Sequence, residues 1–151
     1  MRSRKTLTVK WQRLLHEGLT CPRCGTTEGE VEKALAVLTQ ALRALDFDVI
    51  LEKGELSVEE FKKDALQSNM IRINGRSLED WIDGKTGKSQ CCDICGLHDC
   101  RTIELENEVY ENVPSELIVK AGLIAASQLL GPKTSMRKPE RNSSENRCCP
   151  Q

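Results

Sequence analysis

Two thiols separated by two residues, Cys21-Pro22-Arg23-Cys24, stand between a run with strand pattern and a run with helix pattern, and this placement constrains the chain most. A thiol pair at such a junction either cycles between dithiol and disulfide or holds a metal as two thiolates. Before it, Leu7, Val9 and Trp11 alternate with Thr8, Lys10 and Gln12, the period of a half-buried strand. After it, Val31, Leu35, Leu38, Leu42 and Leu45 recur at helical spacing with Ala34 and Ala41 beside them, so one apolar stripe faces a core. Thr27 and Glu30 have capping-box spacing, and Gly25 and Gly29 weaken a helix already running from Cys21. The pair therefore sits either in the first turn or just before it. The difference matters because the peptide dipoles and unpaired N–H groups of a helix start lower a thiol pKa.

Residues 47–52 read as a second strand, with Phe47, Val49 and Leu51 on one side and Ile50 on the other, buried on much of both faces and ended by Gly54. Ser57 and Glu60 form a capping box ahead of Phe61 and Leu66, which predicts a short helix with Glu59, Lys62, Lys63 and Asp64 on its wet side. Residues 70–73 form a third strand, closed by the turn dipeptide Asn74-Gly75. Ser77, Leu78, Trp81 and Ile82 predict one short helix halted at Gly84. The following stretch, Gly84-Lys85-Thr86-Gly87-Lys88-Ser89, is read as a loop. It is not a phosphate-binding loop, because Glu79 and Ile82 occupy the places where that motif needs its first glycine.

A second thiol cluster follows, with Cys91, Cys92, Cys95, His98 and Cys100. Beyond it, residues 102–106 alternate, Asn107 turns and Val109-Tyr110 pairs back, which predicts a hairpin. Pro114 and Ser115 open a last, covering helix that contains Leu117, Ile118, Ala121, Ile124, Ala125 and Leu129 and closes at Gly131-Pro132. Residues 132–151 hold almost no apolar side chains before Cys148-Cys149 and are expected to be a disordered tail.

A chain of 151 residues accommodates one domain, here 1–131, plus that tail. A formal charge of -1 and only 3% aromatic residues provide neither the field nor the stacking surfaces of a nucleic-acid binder, and there is no electrostatic case for a membrane partner. The first ten residues lack the apolar run of a secretory signal, and no stretch is apolar enough to span a bilayer, so a cytoplasmic setting is expected. In a reducing compartment, eight cysteines in clusters signify metal binding or redox chemistry more often than permanent crosslinks.

The order strand, Cys-x-x-Cys, helix, strand, helix, strand resembles the thioredoxin-like fold. That resemblance implies an α/β three-layer sandwich, with residues 84–100 as a Cys-rich insertion. It also implies that Cys21 is the nucleophile and Cys24 the resolving thiol, and that the partner is a thiol- or disulfide-bearing protein or a small thiol. Thioredoxin-like proteins place a cis-proline opposite the dithiol. Ser68-Asn69-Met70 stands there instead, and the Asn69-Met70 peptide is expected to be trans. His16 is expected in an exposed loop without a role.

Metal chemistry is the open alternative. Cys21-Pro22-Arg23-Cys24-Gly25 and Cys92-Asp93-Ile94-Cys95-Gly96 both resemble the knuckles of zinc ribbons, and the segment carrying Cys91, Cys92, Cys95, His98 and Cys100 has more than four soft ligands of its own. Such ligands select zinc, copper(I) or another soft metal or metalloid, and spacing does not choose among them. The vicinal Cys148-Cys149 pair is a weaker candidate. Glu59-Glu60 and Glu104-Glu106 read as solvated faces rather than acid–base pairs.

Val9-x-Trp11-Gln12-Arg13-Leu14, the Cys21–Cys24 motif with Gly25, Ile71-x-Ile73-Asn74-Gly75-Arg76, the cysteine cluster at 91–100 and Glu116-Leu117-Ile118-x-x-Ala121-Gly122 together resemble a prokaryotic family called domain of unknown function 2703. The resemblance covers about residues 6–130 and implies no activity. The functional expectation therefore rests on the thiols: a cytosolic thiol–disulfide oxidoreductase-like protein, or a non-enzymatic binder of zinc or another soft ion.

Overall fold

A computed structural model describes residues 3–90 and 98–131. The chain is α/β, with a four-stranded sheet in the order β2-β1-β3-β4 and a three-stranded sheet in the order β5-β6-β7. The first sheet comprises β1 (Lys5–Leu14), β2 (Phe47–Leu56), β3 (Met70–Ile73) and β4 (Arg76–Ser77). The second comprises β5 (Lys85–Gln90), β6 (Asp99–Leu105) and β7 (Glu108–Tyr110). Four α-helices accompany them: α1 (Pro22–Leu42), α2 (Val58–Lys63), α3 (Leu78–Trp81) and α4 (Ser115–Leu130).

Strand β1 is central because its alternation supplies one wholly apolar side. Leu7, Val9 and Trp11 are fully buried, and they face the same way as Phe47, Val49 and Leu51 of parallel β2 and Ile71 and Ile73 of antiparallel β3. Helices α1 and α4 cover this side. They approach so closely that a Cβ on Gly122 of α4 would lie 2.7 Å from Leu38 Cδ1 of α1, so any larger residue there forces the Leu38 side chain to move. On the opposite side Thr6, Lys10, Ile50, Glu52 and Arg72 are exposed. Among the described residues, the layering of the first sheet is thus complete on one face only.

Several local expectations hold for the reasons given. Ser57 Oγ accepts the Glu60 N–H at 3.2 Å while Glu60 Oε2 accepts the Ser57 N–H at 2.8 Å, a complete capping box. Asn74 and Gly75 both have positive φ, and the two-residue β4 pairs back on β3 beyond them. Asn107, also at positive φ, turns β6 into β7. Glu59, Glu60, Glu104 and Glu106 are exposed.

Other expectations are corrected. Gly54 does not end β2, because it pairs with Gln12 and the ladder continues to Leu56. Ile50 is exposed, since β2 is an edge strand of a half-covered sheet. Leu45 leaves the helical stripe: it lies in a 3-10 turn, Arg43–Leu45, and is exposed. The lysine-bearing stretch read as a loop is β5, whose residues pair with β6 from Lys85↔Glu104 to Gln90↔Asp99. Short polar strands of this kind carry little period-two signal, and their ladder partners are supplied from elsewhere. Residues 91–97, within the expected Cys-rich insertion, and the tail 132–151 lie outside the described residues. None of the described helices is long and apolar enough to cross a membrane.

Thr27 and Glu30 also act differently from their spacing. Both lie inside α1, and they serve the start of α4: Thr27 Oγ1 accepts the Val113 N–H at 3.4 Å, and Glu30 Oε2 accepts the Ser115 N–H at 2.7 Å. Helix α4 begins after Pro114, which has no side-chain cap of its own, so α1 satisfies an N–H that would otherwise lack a partner.

Candidate functional site

The dithiol lies at the C-terminal end of β1. After Leu14 the chain makes a tight turn in which His16 and Leu19 exchange backbone hydrogen bonds at 2.9 Å, with Glu17 and Gly18 at positive φ. Thr20 Oγ1 then donates to the Leu14 carbonyl at 3.2 Å, which draws the chain back to the strand end. Cys21 is the N-cap of α1 and Pro22 its first helical residue. Proline there fixes φ and loses nothing, because its missing N–H would have no helical partner. The Gly25 N–H donates to the Cys21 carbonyl at 2.9 Å, the first bond of the helix. The two sulfurs thus occupy the N-cap and the first turn of a 21-residue helix, resolving the alternative that the sequence left open.

The two thiols differ. Cys24 is pushed well above the usual thiol range, first by its hydrogen bond to Cys21, then by burial and by negative charge on Cys21; hydrogen bonds from Ser68 and Thr20 oppose the shift. Loss of one proton from the pair makes loss of the second harder. The helix start favours a negative charge at Cys21.

The wall opposite is Ser68-Asn69, both buried. Ser68 Oγ lies 3.7 Å from Cys24 Sγ and accepts the Leu14 N–H at 3.0 Å. Asn69 has φ 61°, and its Oδ1 accepts the Trp11 indole N–H at 3.2 Å while its Nδ2 donates to the Glu111 carbonyl at 3.4 Å. No peptide bond among the described residues is cis, as expected for Asn69-Met70.

The sulfurs are enclosed. Cys21 is 2% exposed and Cys24 1%, and both belong to the apolar core cluster. Part of the enclosure comes from the second sheet. The Arg23 side chain is only 9% exposed; its Nη2 donates to the Gln90 carbonyl at 3.0 Å and lies 3.3 Å from Glu111 Oε1, which also accepts Ser89 Oγ at 3.1 Å. Cavities of about 500 Å³ beside Val37, Val119 and Leu123 and about 400 Å³ beside Lys85, Glu104 and Val109 contain neither cysteine.

A second buried polar group holds the small sheet in place. Arg101 of β6 donates from Nε to Glu79 Oε1 at 2.8 Å, from Nη1 to the Leu66 carbonyl at 2.9 Å and from Nη2 to Thr86 Oγ1 at 3.0 Å. It thereby ties β6, β5 and α3 to the turn that leads into Ser68. Neither this group nor the burial of Arg23 was read from the sequence, where single charged residues pass for surface.

Of the candidate metal ligands, His98 and Cys100 are described and Cys91, Cys92 and Cys95 are not. His98 is exposed, its ring edge-on to Phe61 at 5.5 Å, whereas Cys100 is fully buried on β6 in register with Ser89. Among the described residues no group of three or more His, Cys, Asp or Glu side chains is arranged to hold a metal ion. His16 is exposed in its turn. Cys148 and Cys149 lie outside the described residues.

The fold and the site together define an α/β protein with an enclosed dithiol at the start of its longest helix. The chain belongs to the family DUF2703, a domain of unknown function, which matches residues 7–122. It is 44% identical over 112 residues to an uncharacterized protein of Archaeoglobus fulgidus, a match that covers 74% of this chain and 82% of that relative. No solved structure matches.

Proposed function

We propose that the chain is a thiol–disulfide oxidoreductase-like protein of thioredoxin-like type in which Cys21 attacks and Cys24 resolves. The observation that carries this reading is the placement of the pair: Cys21 caps α1, and Cys24 lies in its first turn, 3.7 Å from Ser68 Oγ. In the reaction, the Cys21 thiolate attacks a partner disulfide, forming a mixed disulfide and releasing one partner thiolate. Cys24 then gives up its proton and attacks Cys21 Sγ; the intramolecular disulfide forms and the second partner thiol departs, so two electrons pass to the partner. Burial makes the exchange gated. A partner reaches Cys21 only when its cover opens, which favours a small thiol or an extended segment over a rigid protein face.

The test is incubation of reduced protein with oxidised glutathione, followed by mass analysis. Wild type is expected to lose two thiols to one internal disulfide, Cys24→Ser to retain one glutathione on Cys21, and Cys21→Ser to do neither. An unreactive wild type, or one purified under reducing conditions with stoichiometric zinc on these sulfurs, would overturn the reading.

A further inference from the structure

Helices α1 and α4 run side by side in the same direction, with Thr27 beside Val113, Glu30 beside Ser115 and Leu38 beside Gly122. Their inner faces cover the first sheet, and their outer faces meet in the groove of about 500 Å³ beside Val37, Val119 and Leu123. A helix that covers a core on one side ordinarily carries charged residues on the other. Here residues 34–42 of α1, and residues 121–131 along α4 to its cap, contain no charged residue at all. Val119, Leu123 and Leu130 follow one another along one outer stripe of α4 at helical spacing, with Val37 of α1 across the groove. Among the described residues this stripe is left open: Val37 is 49% exposed and Leu123 43%. A helix that is apolar on both sides is built to be covered on both.

The charges that border the groove select what covers it. Lys33 is held by Glu30 at 2.8 Å, with Glu116 acting on it less. Glu116 and Lys120 remain, exposed, one turn apart on α4 and, among the described residues, in no ion pair of their own. An anionic lipid surface or a nucleic acid would call for an excess of cations, and the groove has none. A second copy of α4 running the opposite way supplies the match. Rotation about a two-fold axis near Val119 sets Glu116 opposite Lys120 of the second copy, and Lys120 opposite its Glu116, while Val119 and Leu123 meet the same apolar stripe. We infer that two copies of this chain associate through the outer faces of α1 and α4, about a two-fold axis near Val119. The association does not depend on the dithiol reading, because none of these residues touches the cysteines.

The experiment is sedimentation of the full chain across low to high micromolar concentrations, with reductant present so that no intermolecular disulfide contributes. Wild type is expected to form a dimer. Leu123→Asp places a carboxylate in the apolar seam, and Glu116→Lys sets lysine against lysine on both sides of the axis; each is expected to raise the dissociation constant about tenfold or more. Combining Glu116→Lys with Lys120→Glu restores the opposition of charges and is expected to return the constant to within about threefold of wild type. Thermal melts check that each variant is folded, and the charge swap, confined to exposed side chains, decides even where Leu123→Asp does not fold. A wild type that is monomeric at every concentration overturns the inference, as does a dimer that the single reversals leave unchanged or the swap does not restore. A monomer that floats with phosphatidylcholine vesicles overturns it in favour of a lipid surface.

Discussion

Ser68 Oγ joins the two ends of the site: it accepts the backbone N–H of Leu14 at 3.0 Å and lies 3.7 Å from Cys24 Sγ. The last residue of β1 and the second thiol are thus held by one hydroxyl, in the segment where the thioredoxin-like resemblance implied a cis-proline. Ser68→Ala leaves the Leu14 N–H buried and unpaired, which costs about 1–3 kcal/mol. Urea unfolding is expected to show a lower midpoint with an unchanged slope.

Asn69 supplies both an acceptor for the Trp11 indole and tolerance of a left-handed backbone. Asn69→Ala forfeits both, at about 2–4 kcal/mol in total. Asn69→Asp retains an acceptor and the local tolerance, and is expected to lose less. Thermal unfolding of the two variants reads the combined loss, and an Asn69→Asp that melts as low as Asn69→Ala would contradict the assignment.

Cys21 caps α1, whereas burial and its neighbour raise the Cys24 thiol above the usual range, and this difference sets the expected order of alkylation. Iodoacetamide under native conditions is expected to label Cys21 before Cys24, and both slowly, because each is enclosed. Peptide mapping over time reads the order; Cys24 labelled first would contradict the assignment of attacking and resolving thiols. Low urea concentrations that promote opening are expected to raise both rates.

The Glu79–Arg101 pair is buried on both sides, with side chains 4% and 9% exposed. Arg101→Met strands the Glu79 carboxylate and is expected to cost about 3–5 kcal/mol. Replacing both, as Glu79→Leu with Arg101→Met, removes the stranded charge and is expected to recover most of that loss. A double-mutant cycle on unfolding free energies reads the coupling.

Glu60 and Glu30 are lowered below the ordinary glutamate value of 4.5, Glu60 chiefly by the Ser57 backbone N–H and Glu30 by Lys33 and then the Ser115 N–H. A depressed folded-state pKa contributes stability that is fully present above the unfolded value and is lost as pH falls through the folded one. Acidification from about pH 5 downward is therefore expected to loosen the starts of α2 and α4. Glu60→Gln, which still accepts a hydrogen bond, is expected to flatten this dependence in thermal melts recorded between pH 6 and pH 3.

Much of the architecture was legible because local physics decides it. The alternation of Leu7, Val9 and Trp11 and the stripe of Val31, Leu35, Leu38 and Leu42 each state which side is buried, whatever lies opposite. The Ser57–Glu60 capping box and the Asn74-Gly75 turn involve neighbours in sequence, so their partners are visible on the same line of text. The order strand, thiol pair, helix, strand was readable for the same reason.

Tertiary structure alone decided everything that depends on a distant partner. Thr27 and Glu30 have capping-box spacing, yet they serve Val113 and Ser115, some eighty-five residues away. Strand β5 exists because β6 offers it a ladder, and Arg23 and Glu79 are buried because the second sheet closes over them. Even Cys21 and Cys24, the clearest feature of the sequence, gained their enclosure only when β1, α1 and Ser68 converged. Short-range periodicity reports which face of an element is apolar, but burial of a charge or a thiol depends on which element the chain later brings against it.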